Sequence, residues 1–182
     1  HERGEIYREL FETIRFRLPV ERMQKDLEDK ANLFLKAQAA YFRAIRLHSA
    51  KWSLAAGYRI GGLYARLIDD IYAAEIPVDL SAEMVEVYRE ELYKHTGHLA
   101  KRAVTILRKN IELAQRMGVG GDWVEKSKVE MARMEALLAK EERAAKRRAS
   151  GDRPQNAEKP KNAEKPSNAA TPAGAEHGAK PK

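Results

Sequence analysis

From Ile6 to Leu138 the apolar residues recur at steps of three and four, and no stretch alternates apolar with polar between turn signals. A helix uses that spacing to lay one apolar stripe against a neighbour, whereas a strand, with its period of two, cannot. The chain is therefore read as all-α. Its breaks fall where helices are hard to continue: Pro19, the turn at Ser49, Pro77 and the run "MGVGGD" at 117–122. Short connections at such points make consecutive helices antiparallel neighbours.

In the first segment, "GEIYRELFETIRFRL", Ile6, Leu10, Ile14 and Leu18 form the predicted inner row, with Tyr7 and Phe11 beside it, and Pro19 closes the helix. From Val20 a long helix is expected to turn Met23, Leu27, Leu33 or Phe34, Ala37, Tyr41, Ala44 or Ile45, and Leu47 or His48 inward. "WSLAAGYRIGGLYARLIDDIYAAE" gives a third helix that ends before Pro77. Ser81 is the predicted N-cap of a fourth, whose stripe reads Met84, Tyr88, Leu92, His95, Leu99, Ala103, Ile106 or Leu107, Ile111 and Ala114. Gly97 is its weak point, where a kink or break is expected. Asp122 followed by Glu125 resembles a capping box for the last helix, whose inner face carries Trp123, Ser127, Met131, Met134 and Leu138.

Residues 1–149 thus form one helical domain. Residues 150–182 repeat Asn-Ala-Glu-Lys-Pro and have no large apolar residue after Arg153. Nothing there offsets the entropy of ordering, so the segment is predicted to be a disordered tail.

Charge and cysteine usage narrow the function classes. The 182 residues hold 34 Lys and Arg against 27 Asp and Glu, a net +7 that permits an anionic partner without requiring one. No cysteine is present, which removes disulfides, thiolate metal sites and a cysteine nucleophile. No apolar run is long enough to span a bilayer. The chain begins at His1 without an initiator Met, so a processed or excised piece is expected.

Four groups of residues invite a functional reading. Asp69 and Asp70, with Glu75 close behind, have the composition of a divalent-metal site for diphosphate chemistry. Such chemistry needs two carboxylate clusters facing each other, and Glu90-Glu91 lies in a different local context. The pair is expected instead on the polar edge of its helix. Glu91, His95 and His98 share helical spacing suited to zinc, but Gly97 interrupts them and His95 falls on the apolar stripe. Lys140, Arg143 and "KRR" at 146–148 make a basic helix end able to touch phosphates or anionic headgroups, diluted by Glu141 and Glu142. Trp52, Tyr64 and Trp123 are read as packing plugs, and Tyr58, Arg59 and Arg66 as an exposed recognition face. No metal and no cofactor is expected.

A repeat-like rhythm runs through the middle of the chain. Ala37, Tyr41 and Ala44 in "AQAAYFRAI" share their intervals with Ala103, Leu107 and Asn110 in "AVTILRKNI", and Gly61 stands three residues before Tyr64. This resembles the tetratricopeptide repeat. The succession Lys51-Trp52, Tyr58 to Gly61, Ile76-Pro77 and Tyr88 to Leu92 resembles the C-terminal region of a group of deltaproteobacterial, including myxobacterial, tetratricopeptide-repeat proteins. The resemblance covers about residues 20–135. It implies a short solenoid of stacked hairpins with a capping helix, in a group with several cell-envelope members, some associated with gliding-motility machinery. It further implies a groove in which Tyr58 and Arg66 meet a partner segment while Gly62 and Ala65 leave room for it. The chain departs from the pattern at Ser49-Ala50, where a proline is usual, in the insertion from Ile76 to about Leu99, and at Asn110, a position that is usually small. The resulting expectation is a non-enzymatic, periplasmic interaction module for a protein partner, a peptide segment or neighbouring subunits of an envelope complex, with no nucleic acid and only indirect membrane contact. Its rivals are a metal-dependent enzyme using Asp69 and Asp70, and an anion-binding adaptor using 140–148.

Overall fold

The computed structural model describes residues 1–47, 49–78 and 80–150, except for the side chains of residues 148 and 149. The predicted tail beyond Ser150, like His48, lies outside the described residues. Within them the chain is all-α, with five helices and no strand: α1 (Glu2–Thr13), α2 (Val20–Ile45), α3 (Ala50–Tyr72), α4 (Ala82–Arg116) and α5 (Asp122–Ala149). Helix α1 packs on α2, α2 on α3, and α3 on both α4 and α5, which also pack on each other. Helix α3 is the centre, with 12 of its 23 residues buried.

The core is built from small residues facing large ones. Helix α3 buries Ala55, Ala56, Ile60, Leu63 and Ile68, and α4, packed on it, buries Ala100, Ala103 and Leu107. Glycine brings two helix pairs close. A Cβ at Gly4 would stand 2.5 Å from the Tyr41 ring, and one at Gly61 would stand 2.5 Å from Leu107. Opposite Gly57 lies Asn110, whose Nδ2 donates to the Leu54 carbonyl (3.0 Å) and to Ser127 Oγ (3.0 Å), joining α3, α4 and α5 through one buried amide.

Several helix limits and faces differ from the sequence reading. Helix α1 stops at Thr13, and Ile14 is extended. Its buried side is Gly4 and Phe11, while Ile6 (56%) and Leu10 (47%) are exposed. Helix α1 packs mainly on α2, with Gly4 against the Tyr41 ring and Phe11 beside Phe34. On α2 the stripe holds from Phe34 to Ala44, but Leu27 is exposed and the buried residue one turn before Phe34 is Lys30. Ser81 caps α4 as expected, accepting from the Met84 amide at 3.3 Å. Gly97 does not interrupt α4, which runs unbroken for 35 residues. The buried residue in that turn is Thr96, and the His95 side chain is 81% exposed. Asp122 sits inside α5 rather than capping it; the turn before it uses Gly118 (φ 61°) and Gly121 (φ 120°), where a Cβ would be strained. On the inner face of α5, Ser127 and Met134 are fully buried, as read.

Helix α4 alone is as long as a whole tetratricopeptide repeat, in which about 34 residues supply both helices.

Candidate functional site: a groove between α1, α3 and α5

Tyr58, Arg59, Gly62, Ala65, Arg66 and Asp69 of α3 lie at steps of three and four, so one face of the helix carries them all. That face looks between α1 and α5. Arg8 and Glu12 of α1 form one wall of a groove of about 260 Å³, and Glu130 and Arg133 of α5 form the other. The three residues that the sequence pointed to, Tyr58, Arg59 and Arg66, are thereby brought together. Gly62 lines the groove with nothing within 4 Å of where its Cβ would be.

The groove's polar groups are held in place by one another. Glu5 of α1 accepts from Arg59 Nε (3.0 Å), from the Tyr41 hydroxyl (2.8 Å) and from Arg8 Nε (3.1 Å). Arg8 also reaches Glu12 at 2.7 Å. Burial works against the Arg8 charge, but Glu12 and Glu5 outweigh it and hold its pKa above the ordinary arginine value. On the far wall the Arg133 guanidinium forks onto both oxygens of Asp69 (2.8 and 3.0 Å) and reaches Glu130 at 2.7 Å. The hydrogen bond to Asp69 is the main reason that its pKa is also raised. Planar fork-to-carboxylate pairing of this kind fixes the side chain's direction as well as its charge. At one end Tyr58 tilts over Trp123 with ring centroids 5.6 Å apart, and the Arg59 guanidinium stands 5.3 Å from the Trp123 ring. The half-buried Trp123 is thus part of the groove's edge as well as a packing residue. Tyr64, read as a plug, is buried edge-on to Phe34, whereas Trp52 is 47% exposed and is not one.

The acidic pair is split. Asp69 faces α5, and Asp70 points the other way into the protein, where it is 5% exposed. This corrects its expected place on a polar helix edge. Asp70 Oδ2 meets Lys30 Nζ at 2.8 Å and Arg66 Nε at 3.2 Å, and Oδ1 meets Arg15 at 2.9 Å. Lys30 is fully buried and spends its remaining donors on the carbonyls of Phe11 (2.6 Å) and Ile14 (3.0 Å). Those carbonyls end α1, which has no basic residue in its own last turn, so a cation from α2 caps it. Burial pushes the Lys30 pKa below the ordinary lysine value, with Asp70 opposing the shift. Glu75 has a third task, accepting from the Leu18 amide at 2.9 Å. The three carboxylates Asp69, Asp70 and Glu75 therefore serve three different partners and do not converge.

Glu91 and His95 approach only to 4.0 Å, and His98 is exposed beside them. Among the described residues no group of three or more His, Asp or Glu is placed to share a metal ion. No helix among them is long and apolar enough to cross a membrane. Sequence reasoning missed Glu5, Arg8, Glu130 and Arg133, which sit on charge-rich helix faces that look alike in sequence. Lys30 did leave a trace, since it falls on the buried stripe of α2 one turn before Phe34.

Set against known proteins, the chain matches no family model, no curated protein and no solved structure.

Proposed function

We propose that this chain is a non-enzymatic interaction module that holds a segment of a protein partner in the α1–α3–α5 groove. The observation that carries the reading is the combination of an open strip at Gly62 with walls of oriented arginines and a tyrosine–tryptophan edge. An extended peptide can approach a helix closely over glycine and alanine. Arginine and aromatic side chains held in fixed directions then supply its anchors at little entropic cost. The oriented side chains and the carboxylates committed to ion pairs support binding over chemistry, since a general acid or base needs a free and positioned group.

The finer expectations belong to the same proposal: paired helices stacked in the manner of tetratricopeptide hairpins, and a place in the bacterial cell envelope or its motility assemblies. The repeat-like glycine and alanine packing of α2, α3 and α4 supports the first. The second rests on the resemblance of the Lys51–Leu92 motifs.

The test is a selection of binders from a random peptide library on the full chain, followed by affinity measurement on variants. Gly62→Trp fills the groove from a position with free space around it and should weaken the selected peptides at least tenfold without lowering the unfolding midpoint. If the selected peptides bind Gly62→Trp as well as the parent chain, the groove is not the site.

A further inference from the structure

A second surface, at the end of the bundle away from the α3–α4 connection, has a different character from the groove. The α2–α3 and α4–α5 turns lie at this same end, because Leu54 at the start of α3 packs against Ala114 at the end of α4 and Val124 at the start of α5. The two turns carry apolar side chains outward: Leu47 is 78% exposed, Trp52 47%, Met117 41% and Val119 37%. Around them stand Arg43, Arg46, Lys51, Arg116 and Lys126, all exposed. None of these five cations is in an ion pair among the described residues, whereas each of the four groove arginines is. Lys51 and Lys126 instead lie over the Trp52 and Trp123 rings at 5.5 and 4.8 Å. The acids nearby are Glu2, which lines a surface pocket with Arg43, Leu47 and Trp52, Glu112 one turn before Arg116, and Asp122 and Glu125 at the start of α5, of which Glu125 is taken by Lys128 at 2.8 Å.

We infer that this end of the bundle docks on an anionic lipid surface, with the two turns dipping their apolar side chains between headgroups and the surrounding cations meeting phosphates. The partner follows from the mixture. A nucleic acid would satisfy the cations and leave Leu47, Met117 and Val119 against a charged backbone. A bilayer surface offers anions and, just beneath them, an apolar layer, and tryptophan settles at that boundary. The contact is peripheral, since it uses turn tips rather than a spanning helix. It adjoins the groove only at Trp123, over whose ring Lys126 stands, and otherwise lies at the end of the bundle while the groove opens along the side of α3.

The test uses the full chain with sedimenting vesicles of phosphatidylcholine alone and of phosphatidylcholine mixed with phosphatidylglycerol. Binding is expected to the mixed vesicles alone, to weaken with added salt, and to be accompanied by a blue shift of tryptophan emission that Trp52→Phe largely removes. Near an anionic surface each cation contributes roughly fivefold, so Arg43→Gln/Arg46→Gln/Lys51→Gln should weaken binding on the order of a hundredfold. Leu47→Asp/Met117→Asp should weaken it with every cation retained. Arg102→Gln/Lys140→Gln/Arg143→Gln, which removes as many charges elsewhere, should leave most of it. Failure to bind mixed vesicles overturns the inference. So does binding that survives the end variants, which would place the contact on the tail or α5, or that ignores Leu47→Asp/Met117→Asp while a DNA duplex competes fully, which would mark a general polyanion site.

Discussion

Removing the charge of Asp70 tests the structure where it is most exacting. Asp70→Asn keeps the shape but leaves Lys30 as a fully buried cation with its carboxylate partner gone. Arg15 and Arg66 lose pairs too, but they are 46% and 38% exposed, so water replaces much of what they lose. The cost is therefore set by Lys30, and breaking one side of a buried pair costs about 3–5 kcal/mol. With a urea dependence of about 2 kcal/mol per molar, the midpoint should fall by about 1.5–2.5 M at unchanged slope. Lys30→Met should cost a similar amount by another route. It strips the Phe11 and Ile14 carbonyls of their donor, at about 1–3 kcal/mol for each acceptor left buried. Because the two changes destroy one shared contact, the double variant should lose less than the sum of the singles, by about 1–3 kcal/mol. Urea unfolding followed by circular dichroism measures all three. A loss under about 1 kcal/mol for Asp70→Asn, or strict additivity, would refute the buried hub.

Gly61→Ala presses a Cβ onto Leu107 at 2.5 Å and should cost about 1–3 kcal/mol, while Gly62→Ala, one residue on and in open space, should stabilise by up to about 1 kcal/mol; thermal unfolding separates them. Asn110→Ala removes the donor to Leu54 and Ser127 and should lower stability by about 1–3 kcal/mol, seen as a lower denaturant midpoint. Glu141 has its pKa raised by burial, so it takes up a proton on folding in the range just above the ordinary carboxylate value of about 4.5. In that window the folded state binds more protons than the unfolded one, so the group's effect on stability grows more unfavourable as pH rises through it. Glu141→Gln should therefore gain stability over the parent at neutral pH and show no such gain in acid, measured as the difference in melting temperature at the two pH values.

The division between what could be read in advance and what could not follows from the physics of helices. An amphipathic stripe is a local property, so the helices, the Ser81 cap, and Ser127 and Met134 inside α5 were legible, while the buried sides of α1 and of the first turns of α2, and Val124 in α5, were not. The proposed recognition face was half legible: the spacing of Tyr58, Arg59, Gly62 and Arg66 put them on one side of α3, but only the placement of α1 and α5 supplied Arg8, Glu12, Glu130 and Arg133 to wall it. Asp69 and Asp70 show the limit. Adjacent residues on a helix point about 100° apart, so sequence could say that they diverge. Which of the two was buried depended on where Lys30 and Arg15, some forty and fifty-five residues away, came to rest. A carboxylate enters a core only when cations arrive with it, and that is decided by tertiary structure.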